Sequence, residues 1–359
     1  MDPLTHTLVG ANLASTGLGD KTRLATAALV IGANIPDVDA ILYFTNQQDL
    51  ALGFRRGWTH GILALFFLPF VLTGTLLLYD RLRPDPARRV DRRWLFALST
   101  IGILTHPFLD WLNNYGMRWL MPFDGTWSYG DSVFIMDPWL WLILGAGWLA
   151  GRRATRPRIA VWAVFTAAIG WVVAGRSMSY LAIVGAISLL LLFALLWRPR
   201  IDPAIAIRKF STAATILAAA FILARLGIHE ATERAATREL AERGVGPLVE
   251  VMASPHPLDP FSWEIVAETD EVYRYGGFSW TRGGLQLAPE SLPTPQPSRE
   301  WEIAKRDPSI RGFMTWVRFP WYEIERTAEA TTVLIHDARY AKRRSGAGFG
   351  GVSVVIPAE

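Results

Sequence analysis

The chain of 359 residues contains no cysteine. That absence excludes disulfides and thiolate ligands, so any bound metal must be held by imidazole, carboxylate or water. Charge is sparse as well: Asp, Glu, Lys and Arg make up 19% of the residues, against 51% hydrophobic. Histidine is rarer still, with six in the chain. The start, Met1-Asp2-Pro3-Leu4, has no basic n-region and no small-residue cleavage site, which argues against a removable signal peptide. A formal net charge of +4 raises nucleic acid as a partner. The arginines fall in short loops between apolar runs rather than on one soluble face, however, so no nucleic acid is expected.

What the chain does have is long apolar runs. Gly61–Tyr79, Trp94–Leu112, Val133–Ala150, Ile159–Ala174, Tyr180–Trp197 and Phe210–Gly227 each approach the length needed to cross a hydrocarbon core. Leu4–Leu18 and Arg23–Phe44 are shorter or less uniformly apolar and rich in small residues, which suits helices packed inside a bundle. Together they predict an all-α polytopic membrane bundle of about eight membrane segments. Three connections are strongly basic: Arg81–Arg93 with six arginines, Gly151–Arg158 with four, and Arg198–Lys209 with three arginines and a lysine. By the positive-inside rule these face the cytoplasm, and Thr45–His60, Asn113–Ser132 and Gly175–Ser179 face the other side. Trp58, Trp111, Trp119, Trp127, Tyr129, Trp139 and Trp141 crowd that outer level like an interfacial belt.

After Gly227 the composition turns polar. His229–Arg243 reads as a helix, and Leu248–Met252, Trp263–Ala267, Val272–Tyr275, Trp321–Arg326, Thr331–His336 and Val352–Ile356 read as strands. Pro289–Pro297 reads as a proline-rich connection, and Trp301–Val317 as one or two short helices. The expected organisation is therefore residues 1–150 carrying the site, 151–227 adding transmembrane helices, and 228–359 forming a smaller extracytoplasmic soluble domain, α+β or mainly β. No internal repeat suggests an inverted-repeat transporter.

Ionisable groups inside apolar segments are costly and mark function by default. His6, Asp37, Asp39, His60, His106 and Asp110 are such groups, and the predicted topology puts all six on the outer side. His106 and Asp110 lie four apart, one helical turn, so both reach the same cation. Pro107 between them suggests a helix start or kink. Each residue also has a structural reading: a cap for Asp37 and Asp39, an arginine partner such as Arg118 for Asp110, an interfacial hydrogen bond for His60, a place near the terminus for His6. As a set, three imidazoles and three carboxylates at one depth match the mixed nitrogen and oxygen ligands of hydrolytic zinc, manganese or iron centres, with one or two ions. Asp39 and Asp110 are the carboxylates expected to serve in catalysis. Asp131 and Asp137 are candidates for outer-shell roles, Arg118 for steering an anionic headgroup, and Arg55 and Arg56 for non-specific contact with lipid phosphates.

With those residues identified, the chain resembles the YdjM-like family of bacterial and archaeal inner-membrane proteins, described as membrane-bound metal-dependent hydrolases. The likeness rests on Asp2-Pro3-Leu4-Thr5-His6-Thr7-Leu8, Asn34-Ile35-Pro36-Asp37-Val38-Asp39, Arg56-Gly57-Trp58-Thr59-His60-Gly61 and Thr105-His106-Pro107-Phe108-Leu109-Asp110. It implies a metal-dependent hydrolase site at His6, Asp37, His60, His106 and Asp110, with Asp39 a further member. That helical His/Asp set is similar to the site of zinc-dependent phospholipase C and related nucleases. Pro255–Val266 and Trp316–Gly351 look like segments of longer members with an appended soluble domain.

The function expected is metal-assisted hydrolysis of a phosphoester or related bond in a lipid or amphiphile at the outer face of a bacterial inner membrane. The alternative is a non-catalytic transporter or metal-binding scaffold. A transporter places its polar groups near mid-membrane, whereas these sit at one edge.

Overall fold

The structure, a computed structural model, describes residues 1–45, 48–150, 178–196, 202–343 and 350–357, with isolated positions between 152 and 167. The N-terminal helices are α1 (Pro3–Ser15), α2 (Ala25–Gly32), a 3-10 stretch (Ile35–Phe44), α3 (Gln48–Phe54), α4 (Ile62–Leu82), α5 (Arg92–Trp111), α6 (Pro138–Leu149), α7 (Met178–Leu196) and α8 (Pro203–Glu242). Asp2, Asp91, Asp137 and Asp202 start α1, α5, α6 and α8. In each case the carboxylate accepts from two backbone N–H groups of the first turn, which fixes where the helix begins.

The eight-segment bundle is not what the structure shows. Among the described residues, two helices are long and apolar enough to cross a membrane, α4 and α8. The α2 helix and the Ile35–Phe44 stretch make a third only if the pair, bent by 47°, counts as one broken span. The reason is that apolar sequence here serves burial within the bundle as well as contact with lipid. The Leu4–Leu18 run yields the 13 residues of α1, a rise of about 20 Å against a hydrocarbon core of about 30 Å. Val133–Ala150 becomes helical only from Pro138 and gives 12 residues. The α5 helix has the length, and runs through Pro107 without ending there, but Arg92, Arg93, His106 and Asp110 leave it less apolar than a span, and Leu95, Leu98, Ile103, His106 and Asp110 on it are all buried. The Tyr180–Trp197 run falls on α7, and most of Ile159–Ala174 lies outside the described residues.

Two clusters hold the helices together. Ala25, Ala28 and Leu29 of α2 pack with Leu72 and Leu76 of α4 and Leu95, Leu98 and Ile103 of α5. Leu8 of α1 packs with Leu109, Leu140, Leu144, Ala218 and Ile222 from α5, α6 and α8. The α2 and α5 backbones approach closely because Gly102 has no side chain: a Cβ there would stand 2.8 Å from the Leu29 carbonyl oxygen.

The α8 helix runs through Gly227 without a break for 40 residues, about 60 Å. Its far end delivers Ala236 and Leu240 to a second body of two antiparallel sheets. The first sheet is β1 (Leu248–Pro255), β2 (Ser262–Thr269), β3 (Val272–Ser279) and β4 (Gly284–Pro293) in sequential order; the second is β5 (Pro320–Arg326), β6 (Ala330–Asp337) and β7 (Gly351–Pro357). The short helices α9 (Arg299–Ala304) and α10 (Arg311–Trp316) lie between them in sequence. Sequence reading missed β4, whose end falls in the stretch taken as a proline-rich connection. Because β4 is an edge strand, its prolines need not donate to a neighbour on the open side.

Among the contacts that lock this body onto the helices, two stand out. Buried Arg225 of α8 donates through Nε to the Ser132 carbonyl at 3.0 Å, and its guanidinium lies 4.2 Å from the Trp263 ring centroid. Asp49 of α3 accepts from the backbone N–H groups of Gly312 and Phe313 at 2.9 and 2.8 Å. At Gly312 a Cβ would overlap the Asp49 carbonyl oxygen. Gly312→Ala is therefore expected to lower stability by about 1–3 kcal/mol, read as a lower thermal unfolding midpoint in detergent. An unchanged midpoint would show that the α3–α10 contact does not hold the two parts together.

Candidate metal centre

Four of the six residues singled out by sequence converge. The Nε2 atoms of His60 and His106 face each other at 3.1 Å. Asp110 Oδ2 stands 3.3 Å from His60 Nε2 and 3.5 Å from His106 Nε2, and Asp37 Oδ1 stands 3.8 and 3.7 Å from the same atoms. All four donor atoms lie within 4.8 Å of one another. Ligands about 2.0–2.1 Å from a tetrahedral ion stand about 3.4 Å apart, so the imidazole and Asp110 edges have the size of a coordination shell. Asp37 lies slightly farther out and is the only partly exposed member of the four. Among the described residues this is the one such group.

The surrounding hydrogen bonds decide which nitrogens carry protons. His106 Nδ1 is 2.7 Å from the Ala33 carbonyl oxygen, which only accepts, so Nδ1 is the donor and Nε2 keeps a lone pair. The Thr59 hydroxyl donates to Asp39 Oδ2 at 2.8 Å, so its oxygen accepts from His60 Nδ1 at 2.9 Å, and His60 Nε2 is likewise left with a lone pair. Two imidazole lone pairs and two carboxylates thus face one point, and Asp37 Oδ1 also accepts from Arg55 Nη2 at 3.2 Å. Burial holds the His60 imidazole well below its ordinary pKa, helped by His106 and by the positive charge of Arg56, so the ring stays neutral as a ligand must.

Asp110 is set up as a one-oxygen donor. Its Oδ1 takes Arg56 Nη2 at 3.2 Å, His6 Nε2 at 3.3 Å and the Met1 amino group. Its Oδ2 has no hydrogen-bond partner, although Arg56 Nε is only 3.0 Å away in poor geometry. An orphaned, fully buried carboxylate oxygen aimed at two unprotonated imidazole nitrogens fits a divalent cation.

Residues 1–181, half of the chain, match the family described as YdjM inner membrane protein. The chain belongs to that family. As a YdjM family member with apolar helices of spanning length, it is a membrane protein. It is also similar to a protein of Bacillus subtilis (strain 168) titled "Uncharacterized protein YfhP", 27% identical over 162 residues. That match covers 42% of this chain and 47% of the relative, so the YdjM member spans about half the length of the curated relative it matches. No solved structure matches it.

The other expected site residues sit around the four. His6 stacks on His106, ring centroids 3.8 Å apart, and reaches the centre only through Asp110. Asp39 is buried, pairs with Arg55 at 3.1 Å and accepts from the Arg56 backbone N–H at 3.2 Å. Asp131 pairs with Arg318 and Asp137 caps α6, so neither approaches the four donors. Arg55 bridges Asp37 and Asp39 rather than facing lipid.

Arg56 is the largest departure from the sequence reading. It is buried, donates to Asn113 Oδ1 at 2.9 Å and to the Gly116 carbonyl at 3.2 Å, and lies 4.4 Å from the Tyr115 ring. Burial pushes its pKa down to about 10, which leaves it cationic at neutral pH beside Asp110. The signal was present in the run Arg56-Gly57-Trp58-Thr59-His60, where Thr59 also holds the His60 ring. Thr59→Val removes the hydroxyl between His60 and Asp39 at similar volume. Metal affinity measured by competition with a chelator is expected to fall about 10–100-fold. An affinity equal to that of the wild type would mean that the hydroxyl does not orient His60.

Proposed function

We propose that this protein is a metal-dependent hydrolase that cleaves a phosphoester or related bond in a lipid or amphiphile at the outer face of the inner membrane. The observation that carries the reading is the convergence of ligand atoms from His60, His106, Asp110 and Asp37 within 4.8 Å of one another, with both imidazole nitrogens unprotonated. The donor set of two imidazoles and two carboxylates suits zinc, with manganese and iron as alternatives. A bound divalent ion would supply an acidified water and polarise the oxygen of the scissile group. His60, His106 and Asp110 would hold the ion and Asp37 would hold it from the open side, while Arg56 and His6 fix the Asp110 carboxylate. Asp39, through Thr59, orients His60.

Access supports an amphiphilic substrate. A cavity of about 470 Å³ beside the centre is lined by Val30, Ile31, Ile35 and Val38, with Asn34 and Asp37 as its polar residues. Asp37 thus belongs both to the donor group and to the wall of an apolar groove, so an acyl chain in the groove would leave a polar head near the ion. The placement outside the cytoplasm is supported by the loop charges at the two spans. Arg81–Arg93 begins in the last turn of α4, the end away from His60, and Arg208 and Lys209 lie near the start of α8, the end away from the sheets.

Protein purified in detergent is expected to carry about one ion per chain, and His60→Ala and His106→Ala to lose it, as read by elemental analysis. Hydrolysis of a chromogenic phosphodiester is expected to vanish with Asp110→Asn. Unchanged metal content in both histidine variants sinks the metal centre. Stoichiometric metal without hydrolysis of any phosphoester lipid would leave a metal-binding scaffold instead.

A further inference from the structure

A second cavity, of about 750 Å³, opens between α3 and the segment that carries α10. Its lining includes the apolar Leu50, Phe54 and Trp58 and the polar Arg118, Ser309 and Arg311. We propose that this cleft binds the phosphate group of an anionic amphiphile, independently of any hydrolysis at the metal centre.

The cations of the cleft have no carboxylate partner. Arg118 is 3% exposed, and its Nη2 donates to the carbonyls of Gly53 and Arg55 at 2.7 and 2.9 Å. Its Nε has no hydrogen-bond partner, and no ion pair forms to it among the described residues. Exposed Arg311 likewise has no ion pair among the described residues. Asp49, the acidic residue of the cleft, turns both carboxylate oxygens to the Gly312 and Phe313 N–H groups. The Trp127 ring, 4.9 Å away, is a weak counterpart for the Arg118 charge; a buried guanidinium without a counter-ion is unfavourable, and an anion in the cleft offsets that cost. Guanidinium groups present paired donors that match phosphate oxygens.

The apolar lining points to an amphiphile. Phe54 and Trp58 stack with centroids 6.1 Å apart, and Leu50 and Trp58 are half exposed. Trp58 lies four residues before α4, a helix fit to cross the membrane, and so sits at the depth where tryptophan borders headgroups. The cleft is distinct from the metal centre: Arg118 packs on Gly57, on the turn that carries His60, and is not among the four donors.

Calorimetric titration of the full chain in neutral detergent tests the proposal with dihexanoyl phosphatidic acid, dihexanoyl phosphatidylcholine and inorganic phosphate. Phosphatidic acid is expected to bind more tightly than phosphatidylcholine. Arg311→Gln, on the surface, is expected to weaken that binding about tenfold with no change in the unfolding midpoint. Arg118→Gln is expected to weaken it at least as much where it folds. Tighter binding of the lipid than of phosphate assigns the site to a lipid headgroup, and equal binding assigns it to a free phosphate group. Equal binding of both lipids, or unchanged binding by Arg311→Gln, overturns the proposal.

Discussion

The site depends on the hydrogen bond from His106 Nδ1 to the Ala33 carbonyl. A carbonyl has no proton to offer, so this one contact fixes the His106 tautomer and turns the Nε2 lone pair towards His60. The chain from Asp39 through Thr59 does the same for His60. Two neutral imidazoles held in this way 3.1 Å apart repel unless something positive lies between or beside their nitrogens. The partnerless Asp110 Oδ2 and the Asp37 carboxylate add negative charge at the same point. Arg55 on Asp37 and Arg56 beside Asp110 offset part of that charge from outside, while the space between the two imidazole nitrogens and the carboxylates has the make-up of a cation site.

The helices are arranged to make that contact. Ala33 ends α2, and its carbonyl reaches His106 because α2 packs backbone to backbone against α5 at Gly102. Asp110 sits one turn beyond His106 on the same helix and is held by Arg56. Arg56 in turn rests on Tyr115, which belongs to the same cluster as Trp301, Phe313 and Trp316 of the sheet-bearing part. Arg339 donates to the Asn114 carbonyl at 2.7 Å beside it. The C-terminal part thus braces the loop that follows His106 and Asp110, which gives it a physical connection to the candidate centre even though it supplies none of the four donors.

The polar residues were the legible part of this sequence. Asp37, His60, His106 and Asp110 stand out because ionisable groups in apolar runs are few, and the i, i+4 spacing of His106 and Asp110 survives Pro107 because α5 continues through it. The strands of the C-terminal part were equally plain, apart from β4, where edge position made proline tolerable. Crossing the membrane was not legible. Hydropathy cannot tell a helix wrapped by other helices from one wrapped by lipid, so buried Leu29, Leu95 and Ile103 read like lipid-facing residues. Nor could sequence separate the donors from their supports. His6 and Asp39 carry the same chemistry as the four, and only the fold shows that His6 reaches Asp110 while Asp39 reaches Thr59. Arg56 taken alone reads as a lipid contact; the run Arg56-Gly57-Trp58-Thr59-His60 ties it to His60, but only the fold shows that it is buried against Asp110.

X-ray absorption at the metal edge of the purified protein addresses the central claim most directly. A first shell at about 2.0–2.1 Å with the outer-ring scattering of two imidazoles and oxygen from carboxylates is the expected spectrum. A protein that binds no stoichiometric metal, or a metal whose shell contains no imidazole, would contradict it.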